Sequence, residues 1–218
     1  MNALLKLSCI GAALALFTST TFASEQDRVD QAAAIIAKFR SMPERSIPRE
    51  VLRDARGLAI LTVTKAGFIW SGKYGEGVVV ARVGRGWSGP AFIKTAGAGF
   101  GAQIGGSVTQ FVLVLNTPAA VKAFSSGTNV QLGGALSVAA GPVGRSAEAG
   151  VTPKAAVFSY SISQGLFAGV SLEGTVVEMN PKSNARYYYP ASPVSAPLIL
   201  RGEVPPPPGA DVLLRELR

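Results

Sequence analysis

The sequence predicts an α+β fold: a mainly antiparallel β-sheet system, sandwich or barrel-like, with two N-terminal helices and one short helix between strands. Three observations predict it. The hydrophobic period changes from about 3.6 to 2 near Leu58 and stays at 2 to Tyr189. The period-2 segments are short and separated by Gly, Pro, Asn and Ser, the pattern of hairpin-connected strands rather than βαβ units. The chain has 25 glycines and only 16% charged residues, which favours β-structure with close backbone approaches over disorder.

The elements follow in order. Lys6 and the apolar run Leu7–Phe17 precede small residues at Thr21 and Ala23, so residues 1–23 read as an export signal cleaved between Ala23 and Ser24. The run is shorter than the ~20 residues of a membrane span. Cys9 lies within it, too close to the start for lipidation, so the remaining chain of about 195 residues has neither thiol nor histidine. Residues 24–46 form an amphipathic helical arm. Val29, Ala32, Ala33, Ile35, Ile36 and Phe39 recur at helical spacing from Gln26 to Arg40, and Met42-Pro43 ends the pattern. A second short helix has Pro48 near its first turn and Gly57 past its end. For both helices core packing is the first reading and membrane-surface insertion the sharper one.

Residues 47–190 form the β-rich domain. Expected strands are Leu58–Thr64, Phe68–Gly72, Gly77–Val83, Ala91–Thr95, Ala98–Ile104 and Ser107–Leu115. After a break come Val130–Ala140, Gly144–Ala149, Ala155–Ser161, Leu166–Val177 and Arg186–Tyr189. Between the two sets, Thr117 caps a short helix with Pro118 in its first turn. Residues 191–218 read as a Pro-rich surface tail, extended through Pro205–Pro208, with Asp211–Arg218 as one helical turn or loose.

Charge sets the expected partners. From Ile60 to Pro190 ten basic residues face four acids, so the net charge of +8 lies mainly in the β-rich domain. An anionic partner suits it: lipid headgroups, a polyanionic envelope polymer or nucleic acid, the last least expected for an exported chain. Metal and acid–base chemistry lack their usual groups. Without His or Cys the common transition-metal ligands are missing, and no loop clusters carboxylates for a hard cation. Glu173 and Glu178 lie five apart and face opposite sides of a regular strand, and a serine nucleophile would need lysine as its base. No catalytic residue, metal or cofactor is expected. The stretch Thr95–Gly106 is glycine-rich but lacks the Gly-Lys-Ser/Thr ending of a phosphate loop, and a strand follows it, not a helix. Alternate glycines on one face let a backbone or ring lie flat, or let the sheet bend.

Several stretches together resemble the SYLF domain family. They include Ile47–Ile60, Lys65–Phe68, Gly75–Arg82, Trp87–Ile93, Gly97–Gly105, Val138–Ala149 and Ser159–Gly174. The resemblance implies a lipid-binding domain, actin-binding in fungal members and phosphoinositide-binding in eukaryotic ones, with an amphipathic N-terminal segment and basic residues at the membrane. Position-matched residues are Lys65, Arg82, Arg145 and Glu173; Gln110 stands where the family usually has an acid. Because this chain reads as exported and solitary, actin and phosphoinositides are not expected as its ligands. The leading expectation is a periplasmic or secreted protein, peripheral to a membrane, that binds anionic phospholipid. Its candidate contacts are Lys65, Lys73, Arg82, Arg85, Lys94 and Arg145. The alternative is a structural or protein-binding envelope module that uses sheet edges and the Pro-rich tail.

Overall fold

The computed structural model describes residues 24–42, 46–126, 130–133, 136–142, 155–165, 175–191 and 193–218, with side chains outside 68–71, 98–105 and 164–165. Ala23, Arg145, Glu173 and the expected strand Gly144–Ala149 lie outside the described residues.

Two long strands dominate. β1 (Gly57–Val83) and β3 (Ala91–Leu115) pair antiparallel from Gly57↔Leu115 to Val79↔Ala91. β2 (Gly86–Trp87) returns on β1 through a tight turn. β6 (Val157–Gly165) pairs with the Ser107–Leu115 end of β3, and β7 (Val176–Met179) with Ile93–Ala96 at its other end. β4 (Val130–Gln131) extends β7, and β5 (Val138–Ala140) runs parallel to β6. The sheet is mixed but mostly antiparallel, and the fold is α+β as expected.

The sheet is curled into a half-barrel. A Cβ on Gly77 would lie 2.0 Å from the Ile60 carbonyl oxygen and 2.6 Å from Leu61 Cα; one on Gly75 would lie 2.8 Å from the Thr62 carbonyl oxygen. The two ends of β1 therefore fold onto each other, and only glycine permits that approach. The Arg82 N–H donates to the Arg56 carbonyl at 2.9 Å and closes the contact. Expectation and structure differ in strand number here. The three strands expected across residues 58–83 are one bent strand, as are the three across 91–115. Glycines read as breaks are bends within a continuous ladder. The ladder slips once, where Phe68↔Ile104 is followed by Trp70↔Phe100, inside the glycine-rich stretch.

Near the ends of β1 and β3 both faces of the sheet are covered, so Leu58–Leu61 and Phe111–Leu115 are buried throughout. On one face, Leu61, Val79, Ile93 and Leu113 pack with α3 (Pro118–Ser125) and α5 (Ala196–Leu200), through Phe124 and Ile199. On the other, Leu58, Ile60, Val80, Phe92 and Val112 pack with α1 (Glu25–Arg40) and α6 (Asp211–Glu216). Ser24 caps α1. Its hydroxyl accepts from the Asp27 N–H at 3.1 Å, and its own N–H donates to Asp27 Oδ2 at 2.7 Å. Val29, Ala32, Ile35, Ile36 and Phe39 form the buried stripe of α1. Each large side chain so buried contributes about 1.5–3 kcal/mol. In this conformation the apolar face of α1 is spent in the core and presents nothing to a membrane. α2 (Arg49–Asp54) is the second expected helix and buries no residue.

Arg28 fastens α1. Its guanidinium is 8% exposed, lies 3.1 Å from Glu76 Oε2, donates to Ser183 Oγ at 3.0 Å and sits over the Phe92 ring. Lys38 Nζ donates to Gln110 Oε1 at 3.2 Å.

Three further expectations are corrected. Arg186–Tyr189 is not a strand but the end of α4 (Pro181–Tyr188). The Asn180 carboxamide oxygen accepts from the Ser183 N–H, and Pro181 sits in the first turn. Asn184 holds that helix to the sheet by accepting from the Phe92 N–H at 2.7 Å. Val130–Ala140 divides into β4 and β5, with Gly133 at φ 84° between them. The segment read as a surface tail is built into the fold. It carries α5, a 3-10 turn (Pro208–Ala210) and α6, and it buries Ile199, Leu200, Val204, Ala210 and Leu213. Five apolar anchors outweigh the prolines between them.

Candidate functional site

Beside the turn of the β1–β2 hairpin lies a groove of about 1040 Å³. Three parts of the chain wall it: α2 on one side, the hairpin on another, and the C-terminal residues Leu214–Arg218 on the third. The hairpin supplies the central pair. Arg82 and Trp87 are directly opposite each other across the strands, and this register stacks the guanidinium over the indole at 3.9 Å. Gly84, at φ 55°, makes the turn and leaves Arg85 exposed at its tip.

Arg82 also ties two walls together. Its Nη2 donates at 3.0 Å to the carbonyl of Leu52, in the last turn of α2, where carbonyls lack helical partners. Burial lowers the pKa of this guanidinium from its ordinary value, the direction expected for a cation withdrawn from water. The third wall is latched by Trp87, whose Nε1 donates to the Leu217 carbonyl at 2.9 Å. Arg40 Nη1 reaches Glu216 Oε2 at 3.3 Å and the Glu216 carbonyl at 3.2 Å.

The charge of the groove is one-sided. Arg40, Arg49, Arg53, Arg82, Arg85 and Arg218 line it, against the single acid Glu216. Arg40 spends its charge on Glu216, and Arg53 pairs with Asp54 at 3.0 Å. Among the described residues Arg49, Arg82 and Arg85 have no ion pair. Beneath the cations the lining is apolar: Ile36 and Leu58 at the base, Ile47 and Leu52 to one side, Leu214 and Leu217 to the other. Such an arrangement holds an anion and shelters an apolar group beside it.

The structure gathers only two of the six candidate contacts. Arg82 and Arg85 meet here. Lys65 and Lys73 are half-buried on the bend of β1, opposite Ser107 and Gly97. Lys94 is on the sheet surface, paired with Glu178 at 3.4 Å. Arg145 is not among the described residues. Arg40, Arg49, Arg53 and Arg218 were not singled out. The spacing of Arg49 and Arg53, four apart in a short helix, was the available signal for a shared face. Arg218 had none, because its place depends on the docking of α6.

Comparison with known proteins places the chain in a family. The family profile described as "Ysc84: Las17-binding protein actin regulator" matches residues 96–218, which includes the C-terminal segment that walls the groove. The "LAS seventeen-binding protein 3" of Saccharomyces cerevisiae is 46% identical over 204 residues, 89% of this chain and 44% of that protein. "Protein YSC84" of the same organism is 49% identical over 176 residues, 78% of this chain and 37% of that protein. The human "SH3 domain-containing YSC84-like protein 1" is 44% identical over 191 residues, 84% of this chain and 55% of that protein. The chain thus spans about half, or less, of the length of these relatives. With a profile match over more than half of its residues, this chain belongs to the Ysc84/SYLF family.

Proposed function

We propose that the protein is a non-catalytic binding module whose working surface is the arginine groove, and that the groove receives an anionic phospholipid headgroup at a membrane surface. One observation carries the reading. Arg82 is half-buried, stacked on Trp87 and turned to the groove without a carboxylate partner among the described residues. A cation withdrawn from water without a counter-charge is costly, and an incoming anion removes that cost. Arg49 and Arg85 add charge at the rim, each worth about 1 kcal/mol near an anionic surface.

A second reading is a protein-binding module, and the comparisons favour it more directly than they favour lipid. Two of the relatives' names speak of Las17 binding or of an SH3 domain, and the profile's description speaks of actin regulation. They lend no support to the expectation that actin is excluded. On this reading the groove takes an acidic segment of a partner protein. The proline run, which the alternative expectation used as a free ligand, is anchored at both ends by Val204 and Ala210.

Flotation with vesicles separates the two. The lipid reading predicts binding to phosphatidylglycerol-containing vesicles and little to pure phosphatidylcholine, weakening as salt rises. Absence of binding to either, together with capture of actin or an acidic peptide by the same preparation, would establish the protein-binding reading instead.

A further inference from the structure

We infer that the groove holds a single anionic amphiphile, headgroup and chain together, and does more than touch headgroups in a bilayer. The inference rests on the reading of the groove as an anion site and adds the nature of its occupant. Three observations carry it.

The first is capacity. About 1040 Å³ is just above the range of roughly 300–1,000 Å³ for sites that enclose a whole small molecule. A headgroup contact needs only a patch.

The second is the layering of the lining. Of the four lining arginines without an ion pair among the described residues, Arg49, Arg82 and Arg85 belong to α2 and the hairpin, and Arg218 to the C-terminal wall. The base beneath them is Ile36 and Leu58, both belonging to the sheet–α1 core and at most 2% exposed. The groove therefore reaches down to the hydrophobic core. A phosphate or carboxylate at the arginines points an attached alkyl chain toward that base, where it displaces water from apolar surface. A free phosphate leaves the base unfilled.

The third is the wall itself. α2 buries none of its residues and α6 has six residues, too few to persist alone in water. α6 is docked by Leu213 in the core and by the Trp87–Leu217 and Arg40–Glu216 contacts. Leu52 and Leu217, both partly buried, are the side chains that these two walls offer to a chain in the groove.

Calorimetric titration of the chain with dodecyl phosphate, below its micelle concentration, is the test. Inorganic phosphate and dodecyl maltoside serve as headgroup-only and chain-only probes. The inference predicts one site per chain for dodecyl phosphate, at least about tenfold tighter than either control, a difference on the scale of a few buried methylenes. It predicts a further loss of about tenfold for the Arg49→Gln/Arg85→Gln double variant and for Leu217→Gln. The double variant changes exposed side chains only, so a normal unfolding curve shows that its loss is not misfolding. Dodecyl phosphate binding no tighter than inorganic phosphate would overturn the inference. If anionic vesicles still bind, the headgroup reading survives; if they do not, both fail. Tight binding that ignores both variants would place the site elsewhere and overturn it too. So would an acidic amphipathic peptide that binds about tenfold more tightly than dodecyl phosphate, in favour of a protein partner.

Discussion

Where β1 folds back on itself, Gly75 and Gly77 sit against backbone, and no atom can be added without moving the chain. At the groove, on the same strand, Arg82 lines open space, and six arginines there stand against the single acid Glu216. The two regions hold their charges differently as well. Arg28, beside the packed region, is matched by Glu76 and Ser183, while Arg82 is matched by an aromatic ring and a carbonyl. The difference teaches which residues serve the fold and which are left over for a ligand. Substitutions in the first region act on stability; substitutions in the second act on binding.

The strongest challenge to that division is Gly77→Ala. Its methyl would lie 2.0 Å from the Ile60 carbonyl oxygen, and a loss of about 3 kcal/mol or more in urea unfolding is expected. Gly97→Ala is the control. Nothing lies within 4 Å of its added carbon, so a change below about 1 kcal/mol is expected. Comparable losses at both positions would remove the case for a strand folded onto itself.

Next in size is Arg28→Ala. Removing this buried guanidinium leaves Glu76 without its cationic partner and loosens α1, with an expected loss of about 3 kcal/mol. Arg49→Gln/Arg85→Gln, by contrast, should alter stability by less than about 0.5 kcal/mol, since both side chains are exposed and outside any ion pair among the described residues. If the double variant unfolds as readily as Arg28→Ala, the groove arginines are structural and the division fails.

The smallest expected effect is in acid. Burial pulls the Glu25 pKa upward, but its own backbone N–H and Arg186 and Ser183 outweigh it, and the net pKa is lowered. A carboxylate with a lowered folded pKa adds stability above its unfolded pKa and loses it as pH falls through the folded one. Stability should therefore decline below about pH 4.5. Glu25→Gln should flatten that decline while leaving the groove's ligand affinity at pH 7 unchanged. A decline of equal steepness in the variant would assign the acid sensitivity to other carboxylates.

How far the sequence showed all this depends on the range of the interaction. Helical spacing from Val29 to Phe39, the Thr117 cap and the extended segment Leu58–Thr64 are local, and the structure reproduces them. The continuity of β1 and β3 was hidden, because glycine marks a turn and a bend with the same letter; only the partner strand decides. The three tyrosines Tyr187–Tyr189 suit a strand, yet Asn180 and Pro181 start a helix there. Of the groove, Arg82 and Arg85 were visible as part of a basic excess. Their convergence with Arg49 and Arg218 was not, since it joins positions more than 100 residues apart through Trp87 and α6. Lys94 shows the converse: a basic residue in the excess whose charge Glu178 already balances.

The most direct test of the groove as an anion site compares three proteins in flotation with phosphatidylglycerol vesicles: the unaltered chain, Arg49→Gln/Arg85→Gln, and Lys94→Gln. All three carry basic residues elsewhere, so a general attraction of charge would weaken with each cation removed. The account predicts a loss of about tenfold for the groove variant and no measurable change for Lys94→Gln. Equal losses, scaled only to the number of charges removed, would contradict it.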